Sequence, residues 1–204
     1  MRRSWLVILA TPFLLVAPAS YAAVILGAHL SNANEFPLPT PVPSPAMGDA
    51  VVTLDPAALT LRVQFTFAGL VAGNTAAHIH CCVDPTAATP TAIVATSVPT
   101  FIGFPMGTTS GTFDGTFDLT NAASFNPAFV TAHGGTVASA AAFLIAGMLA
   151  EDSYLNIHST LNPSGEIRGF LVIPEPSLIS LLVLGLAAGL IATRRKTRLT
   201  AGHG

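Results

Sequence analysis

The chain is poor in charged residues, and the few it has are unevenly placed. Only 9% of its 204 residues are Asp, Glu, Lys or Arg, and its single lysine, Lys196, lies near the C-terminus. Residues 23–173 contain two basic residues, Arg62 and Arg168, and nine acidic ones, so the formal net charge of this region is −7. Because nucleic-acid binding requires clustered lysine and arginine, we expect no nucleic acid among the partners.

Motifs of the common catalytic families are also missing. The sequence has no G-x-S-x-G elbow, no glycine-rich phosphate loop before a helix and no H-E-x-x-H, so we expect no enzymatic activity. Its only cysteines, Cys81 and Cys82, are adjacent, which excludes zinc-ribbon spacing. In an oxidising compartment they can form a vicinal disulfide, link to another chain or supply thiolates to a metal; two reduced or buried thiols are the alternative.

Long apolar runs are confined to the two ends of the chain, and they predict export. Arg2 and Arg3 precede an apolar stretch at 5–16, with small residues up to Ala22, which is typical of a signal peptide at residues 1–22. Near the other end, an uncharged apolar span at 177–193 predicts one transmembrane helix. The basic cluster that follows it should stay cytoplasmic. Residues 23–173 then form one exported domain.

The C-terminal tail, residues 174–204, has a recognisable order of parts. Pro174, Glu175 and Pro176 come first, then the apolar span, then the basic end. This arrangement resembles the PEP-CTERM sorting signal of Gram-negative bacteria. The resemblance implies an exosortase-type enzyme that cuts near the PEP residues, with the protein at the inner membrane in transit and later at the cell surface or outside the cell. A plain C-terminal membrane anchor is the alternative.

The exported region has the period-two alternation of β-strands. The clearest case is 59–67, where Leu, Val and Phe alternate with polar residues. Two segments, 124–133 and 136–150, instead predict helices, with Ser124 as an N-cap. We therefore predict an all-β fold, an antiparallel β-sandwich or Greek-key barrel with a small helical insert. The remaining predicted strands are 24–30, 51–55, 76–80, 92–98, 111–119, 154–158 and 166–172.

Four ordered segments, at 30–37, 48–70, 76–80 and 156–169, resemble the CHRD domain, a module first described in chordin and also common in exported bacterial proteins. The resemblance implies an all-β extracellular domain, with no firm biochemical activity attached to it. The predicted function is a structural, adhesive or binding role at the cell surface or in the extracellular matrix, with polysaccharide or surface proteins as partners.

Three histidines form the candidate site. His78 and His80 are two residues apart on a predicted strand, so their imidazoles share a face, and His158 lies on another predicted strand. Imidazole nitrogens suit Zn²⁺ and Cu²⁺, so a metal-binding extracellular domain is the alternative function. The competing interpretation is that the histidines are buried and organise the fold through hydrogen bonds to Asn34, Glu35 or Glu166.

Overall fold

The computed structural model describes residues 22–175. Residues 1–21 of the predicted signal peptide and the span at 177–193 lie outside the described residues. Between residues 22 and 175, no helix is long and apolar enough to cross a membrane. The strands are β1 (Val24–Ser31), β2 (Met47–Asp55), β3 (Thr60–Ala68), β4 (Asn74–Cys81), β5 (Gly111–Asp118), β6 (Ser153–Ser159) and β7 (Ile167–Phe170), and the α-helices are α1 (Pro127–Ala132) and α2 (Val137–Leu149).

The seven strands form one antiparallel sheet in the order β4-β6-β7-β1-β2-β3-β5. The prediction of an antiparallel β domain is confirmed, although the described strands make a single curled sheet and not two facing ones. The edge strands β4 and β5 are not paired with each other. The loop before β5 instead meets the start of β4, where the Gly107 amide donates to the Asn74 carbonyl and the Asn74 amide donates to Thr108.

The alternation predicted for 59–67 is confirmed in β3. Leu61, Val63, Phe65 and Phe67 are buried, and the residues between them face outward. The Phe65 ring has four phenylalanine neighbours, Phe67, Phe101, Phe104 and Phe113, with ring centroids 5.3 to 6.3 Å away. The concave side of the sheet is therefore filled mainly by apolar side chains that the strand period places there.

Residues 92–98 do not form the predicted strand. The segment makes only isolated bridges, Val94 with His80 and Thr96 with Phe125. Its contacts with β4 are nevertheless regular, because the Cys81 amide donates to the Ile93 carbonyl and the Ala95 amide to the Ile79 carbonyl. Pro90 and Pro99 flank the segment and supply no amide donors, so a continuous ladder of hydrogen bonds does not run through either end.

The helical insert is confirmed, with one change at its start. The first helix is capped by Asn126, whose side chain accepts from the Ala128 amide, and not by Ser124. Pro127 sits at the first turn, where a missing amide costs little. Helix α2 begins with a reciprocal capping box between Thr136 and Ser139.

Helix α2 packs on the concave side of β4. Its buried face carries Ala140, Ala141, Leu144, Gly147 and Met148. A Cβ added at Gly147 would collide with the sulfur atoms of both Cys81 and Cys82. Glycine is therefore required at this point for the helix to approach the end of β4 so closely.

Candidate functional site

The β4, β6 and β7 part of the sheet is buried on both faces. On β4, Ala77, Ile79 and Cys81 face the apolar core, whereas His78 and His80 face the convex side and are still only 6% and 8% exposed. Two segments cover this convex side. Residues 82–99 lie over β4, and residues 32–45 lie over β7, where Asn34 donates to the Arg168 carbonyl.

Strand register brings the three predicted histidines together. On β6, Asn156 lies opposite His78, Tyr154 opposite His80, and His158 opposite Ala76. His158 is therefore the diagonal neighbour of His78 on the same face. One ring nitrogen from each histidine lies within 4.8 Å of the other two. His78 Nδ1 and His158 Nε2 are 3.4 Å apart, although the two residues are separated by 80 positions in the chain.

Backbone carbonyl groups fix the tautomer of each neutral imidazole. His78 Nε2 lies 2.8 Å from the Pro99 carbonyl, His80 Nδ1 2.8 Å from that of Ala92, and His158 Nδ1 3.0 Å from that of Pro163. A carbonyl oxygen can only accept, so each of these nitrogens carries the proton. The other nitrogens, His78 Nδ1, His80 Nε2 and His158 Nε2, then carry lone pairs, and those of His78 and His158 face each other.

Burial keeps the cluster uncharged. It lowers the pKa of His80 and of His158 to about 4, and it also lowers the pKa of His78. Neutral imidazole is the form that binds a metal. Within the described chain, His80 Nε2 is buried and has no hydrogen-bond partner, which is unusual for a buried polar atom.

A layer of side chains supports His80. The Tyr154 ring stacks on the His80 ring at 4.7 Å, with an angle of 8° between the planes. The Tyr154 hydroxyl accepts from the Ala92 amide at 3.2 Å, and the Ala92 carbonyl is the group that accepts from His80. Sequence reasoning did not single out Tyr154. The strand period could have indicated it, because Tyr154, Asn156 and His158 are two residues apart and therefore lie on one face of β6.

Arg168 and Glu35 lie beside the histidines. Arg168 is 3% exposed, and it donates through Nε to the Asn34 carbonyl and through Nη1 to the Pro90 carbonyl. Its Cζ lies 4.8 Å from the centroid of the Tyr154 ring. Glu35 Oε2 is 4.0 Å from Arg168 Nε. Despite this cation, burial raises the pKa of the Glu35 carboxyl to about 8.

The histidines do not hydrogen-bond to Asn34, Glu35 or Glu166, the partners named in the structural interpretation. Their bonds go to backbone carbonyls of the two neighbouring loops. Glu166 instead accepts from the Ser44 hydroxyl at 2.6 Å and from the Val71 amide at 2.7 Å.

The adjacent cysteines lie away from the histidine cluster. Cys81 and Cys82 are joined as a vicinal disulfide, and both sulfurs contact the Gly147 position of α2. Cys81 is fully buried in the apolar core, on the face of β4 opposite to His80. The structure therefore places no thiolate among the three imidazoles.

Comparison with known proteins gives one match. The model of the CHRD domain family matches residues 26–171. No curated protein and no solved structure matches the chain. The matched range includes every strand except the first two residues of β1, and it contains all three histidines, Glu35 and Arg168.

Proposed function

The chain belongs to the CHRD domain family, which is typical of secreted and extracellular proteins, and we propose that it binds Zn²⁺ or Cu²⁺ through His78, His80 and His158. The observation that carries this proposal is the convergence of three neutral imidazoles, with one ring nitrogen of each within 4.8 Å of the other two. Each imidazole donates one N–H to a backbone carbonyl, which leaves its second nitrogen free to bind a metal. Bonds of this kind from outer groups are the usual means of orienting metal-ligating histidines.

The spacing of the nitrogens supports a metal ion. Tetrahedral zinc with bonds of about 2.0–2.1 Å to nitrogen places its nitrogen ligands about 3.3 Å apart. His78 Nδ1 and His158 Nε2 are 3.4 Å apart, and neither carries a proton in the tautomers that the backbone carbonyls fix. A cation between them converts a contact of two lone pairs into two favourable bonds. One ring nitrogen of each of the three histidines lies within 4.8 Å of the other two, so His80 is close enough to supply the third ligand.

Metal titration tests the proposal, with a matched pair of histidine variants. The full chain, purified in mild detergent and stripped of metal, should bind one Zn²⁺ or Cu²⁺ with a dissociation constant below about 1 μM in calorimetry. The variant His80→Ala should bind at least about 100-fold more weakly, because it loses a ligand. The variant His29→Ala should bind as the parent does, since His29 is 58% exposed and pairs with Asp49.

Two outcomes would contradict the metal proposal: binding by the parent protein weaker than micromolar, or equal binding by the parent and the His80→Ala variant. Circular dichroism of the variant checks that any loss of metal is not a loss of fold.

A structural or adhesive role is the second candidate, and one observation favours it. Each histidine ties a loop to the sheet, through Ala92 and Pro99 in one loop and Pro163 in another. In that role the cluster would shape the outer surface for extracellular polysaccharide or surface proteins. His80→Ala would then lower the melting temperature, with no metal bound by the parent. Neither candidate includes catalysis.

The two ends of the chain bear on its export and localisation. We propose export by residues 1–22 and sorting by the PEP-CTERM-like tail, with an exosortase-type enzyme acting near Pro174–Pro176. Mass spectrometry of surface protein from the native host should find a C-terminus near these residues. Recovery of peptides containing Arg198 in that fraction would instead support a plain membrane anchor.

A further inference from the structure

The two edges of the sheet are protected to different degrees. On the β4 edge, residues 93–101 bond to the strand through Ile93, Ala95 and Phe101. On the β5 edge, no backbone hydrogen bond from elsewhere in the described chain reaches Thr112, Asp114 or Thr116. An exposed edge strand with unpaired amides and carbonyls is a template for another strand.

The hydrogen-bond phase of the sheet identifies which groups of β5 point outward. In an antiparallel strand, the amide and carbonyl of one residue point to the same side, and successive residues alternate. Gly27 exchanges both backbone hydrogen bonds with Val172, so the amide and carbonyl of Gly27 point away from β2. Val51 lies opposite Gly27 on β2, and its amide and carbonyl therefore point away from β1, towards β3. Val51 lies opposite Gln64, and Gln64 opposite Asp114. The groups of Asp114 therefore point away from β3.

The same alternation assigns the neighbouring residues of β5. The groups of Thr112, Thr116 and Asp118 point outward with those of Asp114. Two bonds beyond the ladder agree with this phase, because the Leu119 amide donates to Leu59 on the β3 side, and the Asn121 amide donates to the Asp118 carbonyl. Within residues 22–175, the backbone amides and carbonyls of Thr112, Asp114 and Thr116 thus form a continuous row without partners.

We propose that this edge pairs with the β5 edge of a second copy of the chain, antiparallel, about a two-fold axis at Gly115. The strand repeats one four-residue unit, Gly-Thr-Phe-Asp, from Gly111 to Asp118. About an axis at Gly115, this repeat places Asp114 opposite Thr116 of the second copy, and Thr112 opposite Asp118 of the second copy. No carboxylate then faces a carboxylate, and the Asp114–Thr116 pairs exchange backbone bonds in the correct phase.

Charge selects this register over its neighbours. An axis at Asp114 would place the two Asp114 side chains directly opposite each other, and an axis at Thr116 would place Asp114 opposite Asp118. Like charges directly opposite across strands are destabilising. Asp114 and Asp118 also have hydrogen-bond partners within their own chain. Arg62 binds both oxygens of Asp114 at 2.9 and 2.7 Å, and Asp118 accepts from Thr120 at 2.8 and 2.6 Å.

Variants at Thr116 test the edge and the register together. Sedimentation of the full chain in mild detergent should show a dimer for the parent and for Thr116→Val. Thr116→Pro, which removes an outward amide but is tolerated at a sheet edge, should be monomeric. Thr116→Lys should tighten the dimer about tenfold at low salt, and Thr116→Asp should weaken it about tenfold, because each faces Asp114 in two symmetric pairs. High salt should reduce both shifts.

Three results would overturn the proposal. The first is a monomeric parent protein at high micromolar concentration. The second is a dimer that Thr116→Pro leaves intact, since the copies would then associate elsewhere, for example through the C-terminal apolar span. The third is an equal effect of Thr116→Lys and Thr116→Asp, which would exclude this register even if the proline variant failed to fold.

Discussion

Polar side chains face solvent in β2, β3 and β5, whereas in β4, β6 and β7 most of them are buried beneath two loops. On β3, Arg62, Gln64 and Thr66 alternate with core residues and lie at or near the surface. On β4 and β6, His78, His80 and Asn156 occupy equivalent convex positions and are each less than 9% exposed. The same period-two pattern thus gives an ordinary half-buried strand in one place and a buried polar site in the other.

The difference shows what the loops contribute. Residues 32–45 and 82–99 exclude water from the convex face and supply the carbonyl groups that its polar side chains need. Burial then lowers the pKa of His80 and raises the pKa of Glu35. The chemistry of the site depends on that cover as much as on the residues beneath it.

Among the predicted changes, truncating a core side chain of β3 should cause the largest loss of stability. Phe65→Ala removes a ring that is 3% exposed and contacts four other phenylalanines. We expect it to lower the free energy of unfolding by about 3–5 kcal/mol. The adjacent Gln64→Ala, on the outer face, should cost less than about 0.5 kcal/mol. Urea unfolding followed by circular dichroism measures both, and similar losses would refute the assignment of faces.

Substituting the two arginines of the described chain compares the two parts of the sheet directly, because Arg168 lies on β7 and Arg62 on β3. Arg168→Ala leaves the Asn34 and Pro90 carbonyls without their donor in a buried site, so we expect a loss of about 3 kcal/mol. Arg62→Ala breaks a bidentate pair with Asp114 in which both side chains are about half exposed, and it should cause little measurable change. A larger loss of stability for Arg62→Ala than for Arg168→Ala in the same unfolding experiment would show that burial does not separate the two arginines.

The smallest effect concerns pH and Glu35. Burial raises the pKa of Glu35 from 4.5 to about 8, so the folded state retains a proton that the unfolded state loses. Its contribution to stability is complete below about pH 4.5 and is lost as pH rises towards 8. Burial lowers the pKa of His80 and His158, so their contributions change in the opposite direction, decreasing as pH falls below 6.5.

Between pH 6.5 and 8 the Glu35 contribution should therefore dominate, with a fall of about 2 kcal/mol in unfolding free energy. The variant Glu35→Gln should lose this dependence of the unfolding free energy on pH. The control variant Glu151→Gln, which is distant in sequence from Glu35, should retain it. Urea midpoints at the two pH values measure the difference. An unchanged slope in Glu35→Gln would show that another group titrates.

Much of the fold could be predicted from local pattern. Segments overlapping all seven strands were predicted, most clearly β3, whose side chains alternate, and α2 was predicted because it is rich in alanine and leucine. The segment at 92–98 was predicted wrongly, since its apolar residues are typical of a strand but flanking prolines limit its pairing to isolated bridges. The Ser124 cap was wrong because Asn126 precedes a proline at the first helical turn.

By itself, the sequence determined that His78 and His80 share a face, because strand period is a local property of the backbone. It also determined that β5 repeats a four-residue unit. Only the tertiary structure decided that His158 joins them, that three carbonyls fix the ring protons, and that the sulfurs of Cys81 and Cys82 face α2. Those contacts join distant parts of the chain. They depend on strand register and loop path, which no local pattern encodes.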